Sequence, residues 1–207
     1  MAVARDCCNP ERFADYERFA AQAAAVRFFM SDKTVILTAA ATHRVLTRIA
    51  HEIAERNENS QGVVVVGVQR GGVHLAQRLG RILAGIWGHD VSVGTLDVSM
   101  HRDDVGQQIA PAVHPTEIPF DVTGKTVVLV DDVLFRGRTT RAAMDALNDF
   151  GRPARIQLAV LIDRGHRDLP IKADFVGKNV PTAINERIDV QLKETTGEDV
   201  VFLEKSG

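Results

Sequence analysis

Apolar positions change their period repeatedly along the chain, and each change marks the border of a predicted element. Val35–Leu37 reads as a short strand. Val45, Leu46, Ile49 and Ile53 then recur at helical spacing, which predicts a helix over Thr42–Arg56 with one apolar face. The run VVVV at 63–66 is too short for a helix and β-branched throughout, as in a strand buried on both faces. A helix over Val73–Gly85 follows, then strands at Val91–Val98 and 127–130. A helix over Thr139–Phe150 carries Met144, Leu147 and Phe150 as its apolar stripe; Gly151 closes it and Pro153 lies just beyond. Ile156–Ile162 is the next strand. Ile188, Val190 and Leu192, then Val200–Leu203, alternate as an antiparallel pair or meander at one edge. Strands and helices thus alternate from 35 to 165, which gives an α/β class with a mostly parallel central sheet flanked by helices.

Two stretches break the rhythm. Residues 99–119 have no apolar period, which suits a functional lid or a mobile loop. Residues 1–32 form an N-terminal extension, helical or disordered. Phe13, Tyr16 and Phe19 recur every third position there, as in a short amphipathic helix. The domain proper is expected over 33–207.

Composition narrows the class. A hydrophobic share of 45% and a charged share of 25% are those of a globular domain. Net charge is −2, so nucleic-acid binding would need a local basic patch. The two cysteines, Cys7 and Cys8, are neighbours and offer neither a disulfide framework nor a zinc site. No apolar run approaches the roughly 18 residues of a membrane span, and charged residues interrupt the N-terminus where a signal peptide would need an apolar core. A cytoplasmic protein is the expectation.

The chemistry concentrates where strands end. In VVLVDDVLFRGRTT (127–140), a buried strand runs into Asp131 and Asp132, then into a loop with Gly137 between two arginines, then into a helix. Open α/β sheets bind ligands at the carboxyl ends of their strands. A helix N-terminus with hydroxyls and cations suits a phosphate, and the acids suit sugar hydroxyls. A phosphorylated sugar held at both ends is the reading; a solvated strand end followed by an ordinary helix cap is the bland alternative. GVQRGG (67–72) pairs close backbone approach with a cation and suits a pyrophosphate, although it is neither GxGxxG nor a Walker A loop. DRGHRDLP (163–170) closes the third strand, with ADFVGKNVP (173–181) behind it. Phe175 there suits stacking on a flat heterocycle, or is a core phenylalanine. Arg44, Arg48 and His51 align along one helix face with Arg56 beyond, a pattern that usually means a solvated face.

DDVLFRGRTT resembles the ribose-phosphate signature of type I phosphoribosyltransferases. LTRIAHEIAERN (46–57), RDD (102–104), VVLVDDVLFRGRT and residues 146–182 resemble one branch more closely, the PyrR family of pyrimidine-operon attenuators with uracil phosphoribosyltransferase activity. The similarity spans residues 33–205. It implies the type I phosphoribosyltransferase fold, with a small hood at the C-terminal ends of the strands. It also implies the reaction uracil + 5-phosphoribosyl 1-diphosphate (PRPP) → UMP + diphosphate. By resemblance, Asp131 and Asp132 hold the ribose 2′- and 3′-hydroxyls. Val133, Leu134, Phe135, Arg136, Gly137, Arg138, Thr139 and Thr140 make the loop around the 5′-phosphate. Arg70 and Gly71 face the diphosphate, with Mg²⁺ carried on it, and Arg102 closes over it. Asp163, Phe175 and Val176 surround uracil. Thr47, Arg48, His51 and Arg56 fall in the RNA-contacting helix. The resemblance further implies UMP and UTP as effectors, a pyrimidine leader mRNA as partner, and a dimer or higher oligomer. A regulator with little turnover and a phosphoribosyltransferase for another base are the alternatives.

The chain departs from the family pattern at four places. Phe135-Arg136 stands where Tyr-Thr or Tyr-Ser is usual, and Arg70-Gly71-Gly72 where Thr-Arg-Gly is frequent. His101 replaces a tyrosine, and PTAINE replaces a PTS-type ending. MSDKTVIL, from Met30, matches the usual family start, so residues 1–29 read as a start-site artefact or a lineage-specific addition.

Overall fold

The computed structural model describes residues 33–101 and 114–205. The expected N-terminal helix and Arg102 lie outside the described residues. Five parallel strands form the central sheet in the order β3-β2-β4-β5-β6: β2 is Val63–Val68, β3 Val93–Leu96, β4 Thr126–Leu134, β5 Arg155–Asp163 and β6 Phe175–Asn179. Helices α1 (Ala39–Arg56) and α2 (Gly71–Trp87) cover one face, and α3 (Arg138–Leu147) covers the other.

The valine run shows why this works. Val63 and Val65 pack beneath Leu46, Ile49, Ile53, Leu75 and Leu79 of α1 and α2. Val64 and Val66 join Ala142, Ala143 and Leu147 of α3. Successive strand side chains point to opposite faces, so a strand covered on both sides must be apolar at every position. Each such aliphatic side chain contributes roughly 1.5–3 kcal/mol when fully buried.

The first expected strand lies elsewhere. β1 (Lys33–Thr38) pairs antiparallel with β8 (Val200–Glu204), which pairs with β7 (Arg187–Gln191) to make a separate three-stranded sheet. This is the hood. β6 takes the fifth place in the main sheet, in a stretch the apolar pattern left unassigned. Two features hold the small sheet to the large one. The Lys178 ammonium at the end of β6 donates to the Ile36 carbonyl at 3.1 Å. Arg78 of α2 donates to both Glu194 (2.6 and 2.9 Å) and Asp199 (2.7 and 2.9 Å) beside the short helix α4 (Lys193–Thr196). Among the described residues no helix is long and apolar enough to cross a membrane.

The Arg78 bonds hold the Glu194 and Asp199 carboxyls below their ordinary values of 4.5 and 3.8. A depressed carboxyl pKa stabilises the fold above the unfolded value, and that contribution disappears as pH falls through the folded value. Arg78→Ala should therefore cost about 2–3 kcal/mol at neutral pH. Urea midpoints of parent and variant should converge on acidification below pH 3.8.

Candidate ligand site at the strand ends

β4 does not stop at its apolar residues. Its pairing with β5 continues through Asp131↔Val160, Val133↔Ile162 and Leu134↔Asp163, so both acids sit inside the last registers of the sheet. They occupy different environments. Asp131 is 7% exposed, while the half-buried Asp132 lies against the backbone of the β2–α2 turn. A Cβ at Gly71 would stand 2.1 Å from Asp132 Oδ2, and one at Gly72 would stand 2.1 Å from the Val130 carbonyl oxygen. The two glycines thus let the start of α2 touch the end of β4. That contact joins the GVQRGG turn to the acids in one site. Arg70, exposed, caps this helix start, and the Gln69–Arg70 peptide is cis.

The loop from β4 to α3 is shaped by Gly137, whose φ of 89° is in the left-handed region that favours glycine. The first turn of α3 follows directly, with the Thr140 hydroxyl buried and without a hydrogen-bond partner among the described residues. A buried hydroxyl at a helix start, next to half-exposed Arg136 and Arg138, is what an anionic ligand would satisfy.

The end of β5 supplies the clamp. Arg167 donates to the Phe135 carbonyl (2.7 Å), the Leu134 carbonyl (3.4 Å), the Gly165 carbonyl (3.0 Å) and the Ile171 carbonyl (3.0 Å). Its remaining nitrogen meets Asp163 at 2.5 Å. The other oxygen of Asp163 accepts from the Gly165 N–H at 3.0 Å. Asp163 therefore anchors the arginine that holds the phosphate-type loop. Arg164 is 7% exposed and has no carboxylate within ion-pair range among the described residues. Its guanidinium bonds Thr182 Oγ1 (3.0 Å) and the Ala183 carbonyl (3.1 Å), and lies 4.0 Å over the Phe135 ring. Burial pushes that guanidinium down, with the Glu186 charge opposing and Arg136 adding to the shift. These residues border a cleft of about 360 Å³ formed by Asp163, Arg164, His166, Asn179, Pro181 and Thr182.

Two groups of the expected site residues sit in surroundings that the sequence pattern does not reveal. Phe175 is 2% exposed, pairs with Ala159 midway along β5 and lies under the Arg56 guanidinium at 5.1 Å. It begins β6, far from the strand's carboxyl end, so it is a core residue and does not border the cleft. Val176 is likewise a packed strand residue, facing Val160. The basic stripe is also changed. Arg48 binds Glu52 (2.5 Å) and the Val176 and Gly177 carbonyls (2.9 and 2.6 Å), and Arg56 binds Asp174 at 2.8 Å. Both tie α1 to β6, because the helix lies over that strand. The Thr47 hydroxyl is turned back to the His43 carbonyl at 3.0 Å. All four basic residues are exposed, and Arg44 and His51 are the two without a bonded partner among the described residues.

Asp97 links both sides of residues 102–113, accepting from Ser99 (2.6 and 2.9 Å) and the His114 N–H (2.6 Å). Burial alone would raise its carboxyl; these bonds outweigh burial and hold it below the usual range. Arg164, Arg167, Asn179 and Thr182 went unrecognised as site residues. Arg164 and Arg167 belong to the DRGHR motif, and Asn179 and Thr182 to VGKNVPT.

A family model described as the phosphoribosyl transferase domain matches residues 36–195. The chain is 57% identical over 175 residues to the Bifunctional protein PyrR of Chloroflexus aurantiacus, covering 84% of this chain and 96% of that protein. It is 61% identical over 170 residues to that of Roseiflexus (81% and 93%) and 54% identical over 180 residues to that of Thermus aquaticus (86% and 99%). Among solved structures, a Trypanosoma cruzi hypoxanthine phosphoribosyl transferase superposes with a TM-score of 0.65 at 20% identity, over 86% of this chain and 93% of that one. A Bacillus anthracis hypoxanthine-guanine phosphoribosyltransferase gives 0.62 at 19%, over 83% and 97%. These two share the fold.

The two glycine contacts differ in kind, and their variants should separate. Gly71→Ala meets a side chain that can rotate away, so stability should change by less than about 1 kcal/mol while Asp132 is displaced. Calorimetric binding of ribose 5-phosphate should then be lost. Gly72→Ala meets backbone, and should lower stability by roughly 1–3 kcal/mol in thermal unfolding.

Proposed function

Because the chain belongs to the phosphoribosyltransferase family, in its PyrR branch, we propose that it makes UMP and diphosphate from uracil and PRPP. We propose further that it regulates pyrimidine gene expression by binding a leader mRNA in response to UMP or UTP. The observation that carries the first activity is the joined strand ends: Gly71 against Asp132, and Gly137 leading to the buried Thr140 hydroxyl. Asp132 would accept from the ribose hydroxyls, with Asp131 setting the strand end behind it. The 136–140 loop would take the 5′-phosphate on N–H groups, Arg138 and the two threonines. Arg70 and Gly71 would face the diphosphate, and Arg102 would close over it.

The base would lie in the cleft between the β5 and β6 ends, beside Asp163 and Arg164, with its plane toward Phe135. Chemistry then consists of breaking the ribose C1–O bond to diphosphate and forming the C1–N1 bond, with the N1 proton lost. Charge develops as the diphosphate departs, and fixed cations stabilise it without a nucleophilic side chain. Excluding water matters, because water attacking C1 would hydrolyse PRPP. Among the described residues no group of three or more His, Cys, Asp or Glu side chains forms a metal cage. The carboxylates at the β4 end are hard oxygen donors that suit Mg²⁺ arriving on the diphosphate, where it would neutralise the leaving charge.

The regulatory activity would use the outer face of α1, with Arg44, Thr47 and His51 toward RNA and Arg48 and Arg56 fixing the helix on β6. One such face on a chain of net charge −2 is a small electrostatic site, so a dimer or higher oligomer that sets two faces side by side is part of the proposal.

Assays with PRPP and each common base should give nucleotide from uracil; turnover of hypoxanthine in preference to uracil would overturn the substrate. Asp132→Asn should lower kcat/KM at least about 100-fold, and unchanged turnover would remove the acid from the site. Phe175→Leu should cost about 1 kcal/mol of stability and leave the KM for uracil unaltered. Filter binding of the pyrimidine leader RNA should tighten with UMP and weaken in His51→Ala. Affinity that is equal for a scrambled RNA and indifferent to UMP would contradict the regulatory activity.

A further inference from the structure

The phosphate-type loop faces an acid of its own. Asp168 Oδ2 accepts from Arg138 Nε at 3.3 Å and Nη2 at 3.2 Å, and from Arg136 Nη1 at 3.5 Å. The carboxylate is 35% exposed and the two arginines 48% and 40%. It is held in place by the backbone: the N–H groups of Asp168 and Leu169 both donate to the Arg136 carbonyl, at 3.1 and 3.3 Å. Leu169 and Ile171 also pack beside Gly137, within 3.6 Å of where its Cβ would be. The shape of the loop therefore rests on the Arg167 clamp, the left-handed glycine and these two backbone bonds. None of these contacts uses the Asp168 carboxylate.

What the carboxylate contributes is charge. Arg136, Arg138 and Arg164 crowd this end of the sheet, and Asp168 is the acid that meets the first two among the described residues. A phosphate ester entering the loop would seek the same guanidinium N–H donors. We propose that Asp168 is a resident counter-anion that competes with the 5′-phosphate for Arg136 and Arg138. It thereby lowers the affinity for phosphorylated ligands and speeds release of the nucleotide product. Arg136 makes this device necessary, because it adds a second cation to a loop that already has the α3 N-terminus, Arg138 and two hydroxyls. This inference rests on the proposed function, in which the loop binds the 5′-phosphate.

Asp168→Asn tests it, because asparagine keeps an oxygen that can accept from both arginines and removes only the charge. Calorimetry of the full chain should show UMP binding roughly fivefold to tenfold tighter in the variant, and inhibition by UMP during turnover should strengthen by the same factor. Uridine, which lacks the phosphate, should bind parent and variant alike. Asp168→Glu should restore the parent's UMP affinity to within about twofold. Unchanged or weaker UMP binding by Asp168→Asn would overturn the proposal and make the acid a positioning residue for the loop. A parent protein that binds UMP no better than uridine would instead refute the phosphate-loop reading itself.

Discussion

Everything at the ligand end of this molecule depends on a close approach of two backbones. The start of α2 lies against the end of β4 so tightly that a methyl group at Gly71 would overlap the Asp132 carboxylate. A methyl at Gly72 would overlap the Val130 carbonyl. Without that contact the GVQRGG turn and the acidic strand end would be separate surface features. With it, the positive end of one helix, the exposed cation of Arg70 and two carboxylates of unequal burial share one mouth. A ligand that spans this mouth must be anionic at one end and rich in hydroxyls beside it. That is the outline of a sugar with phosphate groups.

The second dependence is on fixed positive charge. Arg167 engages all three of its nitrogens with four carbonyls and Asp163. It serves as a cross-brace between the β4 and β5 loops. Arg164 is braced by two oxygens and the Phe135 ring, yet has no carboxylate within ion-pair range among the described residues. Among the described residues Arg136 and Arg138 both meet Asp168. Several cations are thus gathered at this end of the sheet, and Arg164 and Arg167 are held in place before any ligand arrives. Holding donors still before charge develops is what makes electrostatic catalysis effective in such a site.

Much of this architecture was legible in residues alone. The alternation of elements, the strand-loop-helix order around Asp131–Thr140 and the glycine pair each follow from local physics: β-branched runs, φ-permissive glycine and helix-start hydroxyls. The misses share a cause. β6 was unreadable because FVGKN mixes a core aromatic, a glycine and two polar residues, and its strand identity comes from pairing with β5. Phe175 was open to a ligand role for the same reason, since burial depends on how far from the strand end it falls. β1 has strand composition, but no residue in it says which sheet it joins. Arg48 and Arg56 have helical spacing to Arg44 and His51, yet spacing does not reveal that β6 runs beneath them. Charge on a helix face is free or committed according to its neighbours, and those are tertiary.

A crystal structure of the protein with UMP would test the central claim most directly. The account predicts the 5′-phosphate on the N–H groups of residues 137–140, the ribose hydroxyls within hydrogen-bond reach of Asp132, and the uracil ring in the cleft bordered by Arg164, Asn179 and Thr182. A nucleotide whose phosphate lies away from the α3 N-terminus, or whose ribose does not touch the β4 acids, would contradict it.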